Sequence, residues 1–213
     1  MLSPVEQRLI QRDRELPGLG TLLSAEEFCA VLQSQTEVPL TAARLRYLRY
    51  KPGQNCLAGF VLQVGATEVE CHAKAHRNDA VAKLDKAGVR ATQGGPLGSG
   101  RFVLPKLGIE VSVFPNDNKL STLPLLAEPS WREEFLRRHL PEHAELKGCA
   151  LRTLAYKPER RWVGAFVVAA QPQAVCKLYT TAAFEFARQR VKQFASREVL
   201  QVVPLLGRSK GRN

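Results

Sequence analysis

Short apolar or alternating runs at about 44–50, 56–64 and 67–75, separated by Pro52-Gly53 and Gly65-Ala66, predict three antiparallel strands joined by tight turns. Ahead of them the period changes to that of helices. Val5, Leu9 and Ile10 mark a short amphipathic helix over Pro4 to Arg14, and Pro17-Gly18-Leu19-Gly20 breaks it. Ser24-Ala25-Glu26-Glu27 then reads as a capping box in front of an apolar stripe of Phe28, Val31 and Leu32. Beyond the third strand the pattern predicts a helix from Asp79 to about Ala87. A hairpin of Phe102–Leu104 and Ile109–Phe114 across Gly108 follows, closed by Pro115-Asn116-Asp117.

Two helices, at about 119–127 and 130–139, lead to a second set of strands at 150–156, 162–170 and 173–179, with Gln171-Pro172 as the hairpin turn. Phe184, Ala187, Val191 and Phe194 place an apolar face on a helix over Thr181 to Phe194, and a last apolar run, Val199 to Leu206, is broken by Pro204. The polar, non-periodic stretch Pro141 to Lys147 is the expected domain boundary, dividing the chain into 1–144 and 145–213.

The two sets of strands repeat one another. Leu48-Arg49-Tyr50-Lys51-Pro52 followed by Leu57, Phe60 and Leu62 returns 106 residues later as Leu154-Ala155-Tyr156-Lys157-Pro158 followed by Val163, Phe166 and Val168. The third strand of each copy ends on a lysine, Lys74 and Lys177, with three residues fewer in the later copy. The expected fold is therefore α+β: two antiparallel sheets of three to five strands, each backed by helices and related by one topology.

Charge separates what the pattern makes alike. Residues 1–150 hold 19 Lys or Arg against 17 Asp or Glu, whereas 151–213 hold 12 against 3, so most of the net +11 sits on the second copy. Such a surplus suits an anionic partner: nucleotide phosphates, nucleic acid or an acidic protein. No helix-turn-helix, zinc finger or aromatic-basic strand motif supports nucleic acid among these. The apolar runs are too short for a membrane span and the N-terminus lacks a signal-peptide core, so the cytoplasm is the expected compartment. Five cysteines, an odd count without a Cys-x-x-Cys pair and at least three of them in apolar strand patterns, read as buried thiols rather than a disulfide or zinc framework, and Trp131, Trp162, Phe60 and Phe166 as packing residues.

Other chemistry is thin. Gly94 to Gly100 lacks the Gly-Lys-Ser/Thr ending of a phosphate-binding loop and reads as a mobile connection. His139 and His143 lie four apart without a third ligand, and Pro141 interrupts the helix that would align them. His76-Arg77-Asn78-Asp79 has its Asp one position late for a kinase catalytic loop, so no catalytic residue is assigned.

The order strand, turn, strand, lysine-bearing strand and helix, followed by Val203-Pro204-Leu205-Leu206-Gly207-Arg208-Ser209, resembles the N-terminal lobe of the aminoglycoside phosphotransferase and choline kinase group of kinase-like phosphotransferases. Tyr156-Lys157-Pro158 with Arg160-Arg161 is similar to members carrying an extra N-terminal region, a place the first copy would fill. The resemblance implies ATP as ligand, Lys177 as the phosphate-pairing lysine with Lys74 its counterpart, Arg160 and Arg161 beside it, and Glu185 as the helix carboxylate that would hold the lysine. It implies magnesium only if a C-terminal lobe supplies the ligands, since a catalytic Asp and its Asn partner are missing from these residues. The expectation is an N-terminal portion of such an enzyme, nucleotide-binding at most; the competing one is a non-catalytic module holding an acidic partner on its basic half.

Overall fold

The computed structural model describes residues 2–80, 84–86, 93–191 and 205–209. It is an α+β structure with one five-stranded and one three-stranded antiparallel sheet, in two compact units, 1–116 and 117–213.

In the first unit α1 (Pro4–Arg12) starts at Ser3, which accepts from the Glu6 amide at 3.3 Å while the Glu6 carboxylate accepts from the Ser3 amide at 2.7 Å. The complete capping box is therefore here. At the expected box only half forms. Ser24 caps α3 (Ala25–Gln33) by accepting from the Glu27 amide, but the Glu27 carboxylate takes the Thr21 hydroxyl at 2.7 Å, because the Ser24 amide already donates to Gly20 at the end of α2 (Leu19–Leu23).

Strands β1 (Ala42–Lys51), β2 (Asn55–Val64), β3 (Thr67–His76), β4 (Arg101–Leu104) and β5 (Ile109–Val113) pair in the order β1-β2-β3-β5-β4. One sheet face, with Cys56, Ala58, Phe60, Cys71, Ala73, Ile109 and Val111, forms the core with Leu19, Leu22, Phe28 and Leu32; the Phe28 and Phe60 rings stack at 4.0 Å. Gly18 lets the helical lead-in approach the sheet, since a Cβ there would lie 2.5 Å from Ile109 Cγ1 and 2.6 Å from the Leu107 carbonyl oxygen.

The glycine-rich connection is pinned rather than loose. Gly98 N–H closes a turn on Gly95, Leu97 is buried in the core, and its carbonyl accepts from Thr36 Oγ1. Of the helix expected at 79–87, residues 84–86 are helical and the remainder lies largely outside the described residues.

The second unit opens with α4 (Thr122–Ala127) and α5 (Pro129–His139), followed by β6 (Ala150–Lys157), β7 (Arg161–Val168), β8 (Gln171–Tyr179) and α6 (Thr181–Val191), with sheet order β6-β7-β8. The division after Asn116 lies upstream of the expected 144/145 boundary. Buried Arg132 shows why α5 belongs with the second sheet: it donates to the carbonyls of Leu126, Ala127 and Cys149, while Leu146 is sunk in the same unit. Polar sequence between 141 and 147 thus covers a stitched connection.

The second hairpin also turns earlier than expected. Val168 pairs with Gln171, so Ala169 and Ala170 form the loop with φ of 48° and 65°, and Gln171-Pro172 begins β8. Two left-handed residues in a two-residue loop match the twist of the strands, a geometry that alanine does not advertise. Phe194 and the run 199–204 lie outside the described residues.

Candidate functional site

The repeat seen in the sequence is a repeat of hydrogen-bond register. Tyr50 pairs with Cys56 and Lys51 with Asn55; 106 residues on, Tyr156 pairs with Trp162 and Lys157 with Arg161. Leu57 faces Lys74 on β3 as Val163 faces Lys177 on β8, so the two lysines hold one position in two sheets. The turns agree as well. Gln54 N–H donates to Lys51 and Arg160 N–H to Lys157, with left-handed Gly53 (φ 62°) and Glu159 (φ 57°) before them.

Each turn is held by an aspartate that the periodicity of the strands does not reveal. Asp13 Oδ2 accepts from the Tyr50 hydroxyl at 2.6 Å and from the Gly53 amide at 2.8 Å; Asp117 Oδ2 accepts from the Tyr156 hydroxyl at 2.7 Å and from the Glu159 amide at 2.9 Å. Both aspartates are buried. Burial, and then the hydrogen bond to a carboxylate, push the Tyr50 phenol up to about 12.

Around the two lysines the units diverge. Lys74 stands directly opposite Glu110 of β5. Glu110 is buried with its Oε1 3.2 Å from His76 Nε2 and its Oε2 3.6 Å from Arg101 Nη1. Burial works against this carboxylate's charge, but the His76 hydrogen bond and the charges of His76, Lys74 and Arg101 outweigh it and hold its pKa below the ordinary value. In the first unit the lysine position is therefore balanced from within the sheet.

The second sheet has no such acid among the described residues. Arg152, Lys157, Arg161 and Lys177 share the face opposite Trp162 and Phe166, all exposed, with Arg160 in the adjoining turn. Lys157 and Arg161 are direct cross-strand neighbours and Lys177 lies one diagonal from Arg161. Like charges placed so are destabilising, and no ion pair within the described residues engages any of the five. Lys177 stands on this open face, whereas Pro158 and Glu159 of the turn are buried. Glu185, the helix carboxylate that the resemblance implies for this lysine, accepts instead from Arg188 Nε at 2.8 Å on its own helix.

The remaining candidates have structural roles. His143 Nδ1 is 2.7 Å from Glu145, exposed His139 packs on Phe135, and no cluster of three metal-ligating side chains occurs among the described residues. His76 is buried on Glu110, and Arg77 binds Glu15 and Asp79. Burial pushes the Cys56 and Cys176 thiols up to about 12, away from nucleophilic use at neutral pH. Trp162, Phe60 and Phe166 are core residues, whereas Trp131 is half-buried and stacks on Phe135 at 5.1 Å.

No protein-family model, curated protein or solved structure matches the chain. Among the described residues no helix is long and apolar enough to cross a membrane.

Proposed function

We propose that the chain is a portion of a kinase-like, ATP-dependent phosphotransferase, in which the exposed basic face of the second sheet holds nucleotide phosphates and which transfers no phosphate by itself. One observation carries the reading: Lys177 occupies the register position of Lys74, but Arg161 lies diagonal to it where the first sheet has Asn55, and no strand among the described residues pairs with β8 on the side from which β5 brings Glu110 to Lys74. A face that gathers like charges without an internal acid is stabilised by an external polyanion, and a triphosphate presents its charges at the spacing of neighbouring side chains. The first unit, already neutralised at Glu110, serves as scaffold. Transfer would further need a general base and magnesium ligands, which no group on this face provides.

Titration of a fluorescent ATP analogue tests it. Lys177→Ala is expected to weaken binding by about 10- to 100-fold, the loss of one charge-assisted phosphate contact of ~1.5–3 kcal/mol, with Lys74→Ala close to wild type. Equal affinities for wild type and Lys177→Ala overturn the assignment. The second reading, an acidic protein partner, draws on the extension of the same face to Arg152 on β6. It predicts that polyglutamate binds and that ATP fails to displace it.

A further inference from the structure

The aspartate that holds the second turn is saturated. Asp117 Oδ2 accepts from the Tyr156 hydroxyl and the Glu159 amide, while Oδ1 accepts from the amides of Lys119 at 2.7 Å and Leu120 at 2.9 Å. Four donors converge on one buried carboxylate. The turn they fix runs directly into Arg160 and Arg161, and Arg160 is tied from its other side, its carbonyl accepting from the Thr180 amide at 3.3 Å at the end of β8. Glu159 is kept left-handed in this arrangement, a conformation unfavourable for a non-glycine residue that persists only where its surroundings impose it.

We infer that Asp117, acting through Tyr156 and the Glu159 amide, is the positioning residue of the basic face: it holds the β6–β7 turn rigid so that Arg160 and Arg161 meet an anion without first being ordered. Asp13 builds the same device in the first unit around Gly53-Gln54, where the turn carries no cation. Rigid presentation of charged groups raises affinity by removing the ordering cost at the moment of binding. The mechanical part of this inference stands by itself; the ligand part rests on the nucleotide reading above.

The sign of the effect separates positioning from simple electrostatics. Asp117→Asn removes a negative charge beside a cationic face, so a purely electrostatic role predicts tighter binding of the ATP analogue. Positioning predicts weaker binding, because the carboxamide turns an NH2 toward donors that need an acceptor. Tyr156→Phe, which changes no charge and removes a single hydroxyl, guards against loss of folding in the first variant.

Hydrogen exchange of the full chain is expected to show the Glu159 and Arg160 amides exchanging at least ~10-fold faster in both variants, with Gly164–Val167 and the Gly53 amide unchanged. In the same proteins ATP-analogue affinity is expected to fall about 3- to 10-fold with an unaltered dependence on salt, since the cations are all still present. Arg161→Gln, by contrast, is expected to flatten that dependence. Unchanged protection at Glu159 in both variants overturns the inference whatever the titrations show. Tighter binding by Asp117→Asn overturns the positioning role, and a flat wild-type titration overturns the ligand part together with the nucleotide reading while faster exchange leaves the clamp in place.

Discussion

The two sheets share a hairpin and differ in almost everything placed around it. What stays is backbone logic: a tyrosine and lysine before the turn, a left-handed residue in it, a buried aspartate beneath it and a lysine at one register position of the third strand. What changes is volume and charge. Cys56 and Ala58 of β2 become Trp162 and Gly164 of β7, where the indole lies over the glycine so closely that a Cβ would be 2.0 Å from its ring. Glu110, which balances Lys74, has no counterpart opposite Lys177 among the described residues. A hairpin closed by hydrogen bonds to its own turn can keep its geometry while its core is refilled and its polar face recharged, because register constrains backbone groups and leaves side chains free.

The largest effect that would break the comparison is at Trp162. Its burial is complete and its Nε1 donates to Thr153 Oγ1 at 3.1 Å. Trp162→Ala is expected to cost ~3–5 kcal/mol, whereas Cys56→Ala, which removes a single heavy atom at the matching position, is expected to cost about 1 kcal/mol. Urea unfolding of both variants measures the difference; similar losses would mean that the two hairpins do not fill their cores in different ways.

A smaller change sharpens the contrast between the second turns. Gly65-Ala66 places glycine at its left-handed residue, but Ala169 and Ala170 both hold positive φ. Replacing Ala169-Ala170 by Asn-Gly is expected to raise stability by about 1 kcal/mol, read as an increase in Tm, while Ala66→Gly gains nothing.

The last effect is confined to alkaline pH and absent at neutral pH. The folded pKa of Tyr50, raised to about 12 from an ordinary value of 10, means that the neutral phenol is favoured by folding. Its contribution is complete below pH 10 and is lost as pH rises toward 12. Denaturation midpoints measured across that window are expected to fall in the wild type and to fall less in Tyr50→Phe.

Among the described residues the apolar runs placed each strand to within a few residues, since a strand in a sheet of this kind must show its buried face every second residue, as β1 does with its alternation of exposed and half-buried positions. The 106-residue repeat, shortened by three residues in the later copy, brought Lys74 and Lys177 into correspondence before any register was known. Errors fell where local chemistry has several outlets. Glu27 was expected to close a box on Ser24 and found Thr21 instead; Gln171-Pro172 carried the familiar turn residues, while the loop was made by two alanines.

Asp13 and Asp117 had one faint signal, two acids 104 residues apart ahead of hairpins 106 apart, yet each lies 37 or 39 residues before the tyrosine it binds and on no shared periodicity. The balance of Lys74 by Glu110 was likewise silent in the chain, for the two meet only through the pairing of β3 with β5. Composition and spacing thus determined that this protein builds its Tyr-Lys-Pro hairpin twice and loads the second copy with positive charge, because hydrophobic period and residue type act along the chain. Which lysine is neutralised and which stands on an open cationic face was decided only in three dimensions, because hydrogen bonds and charge pairs depend on distances that sequence separation does not measure.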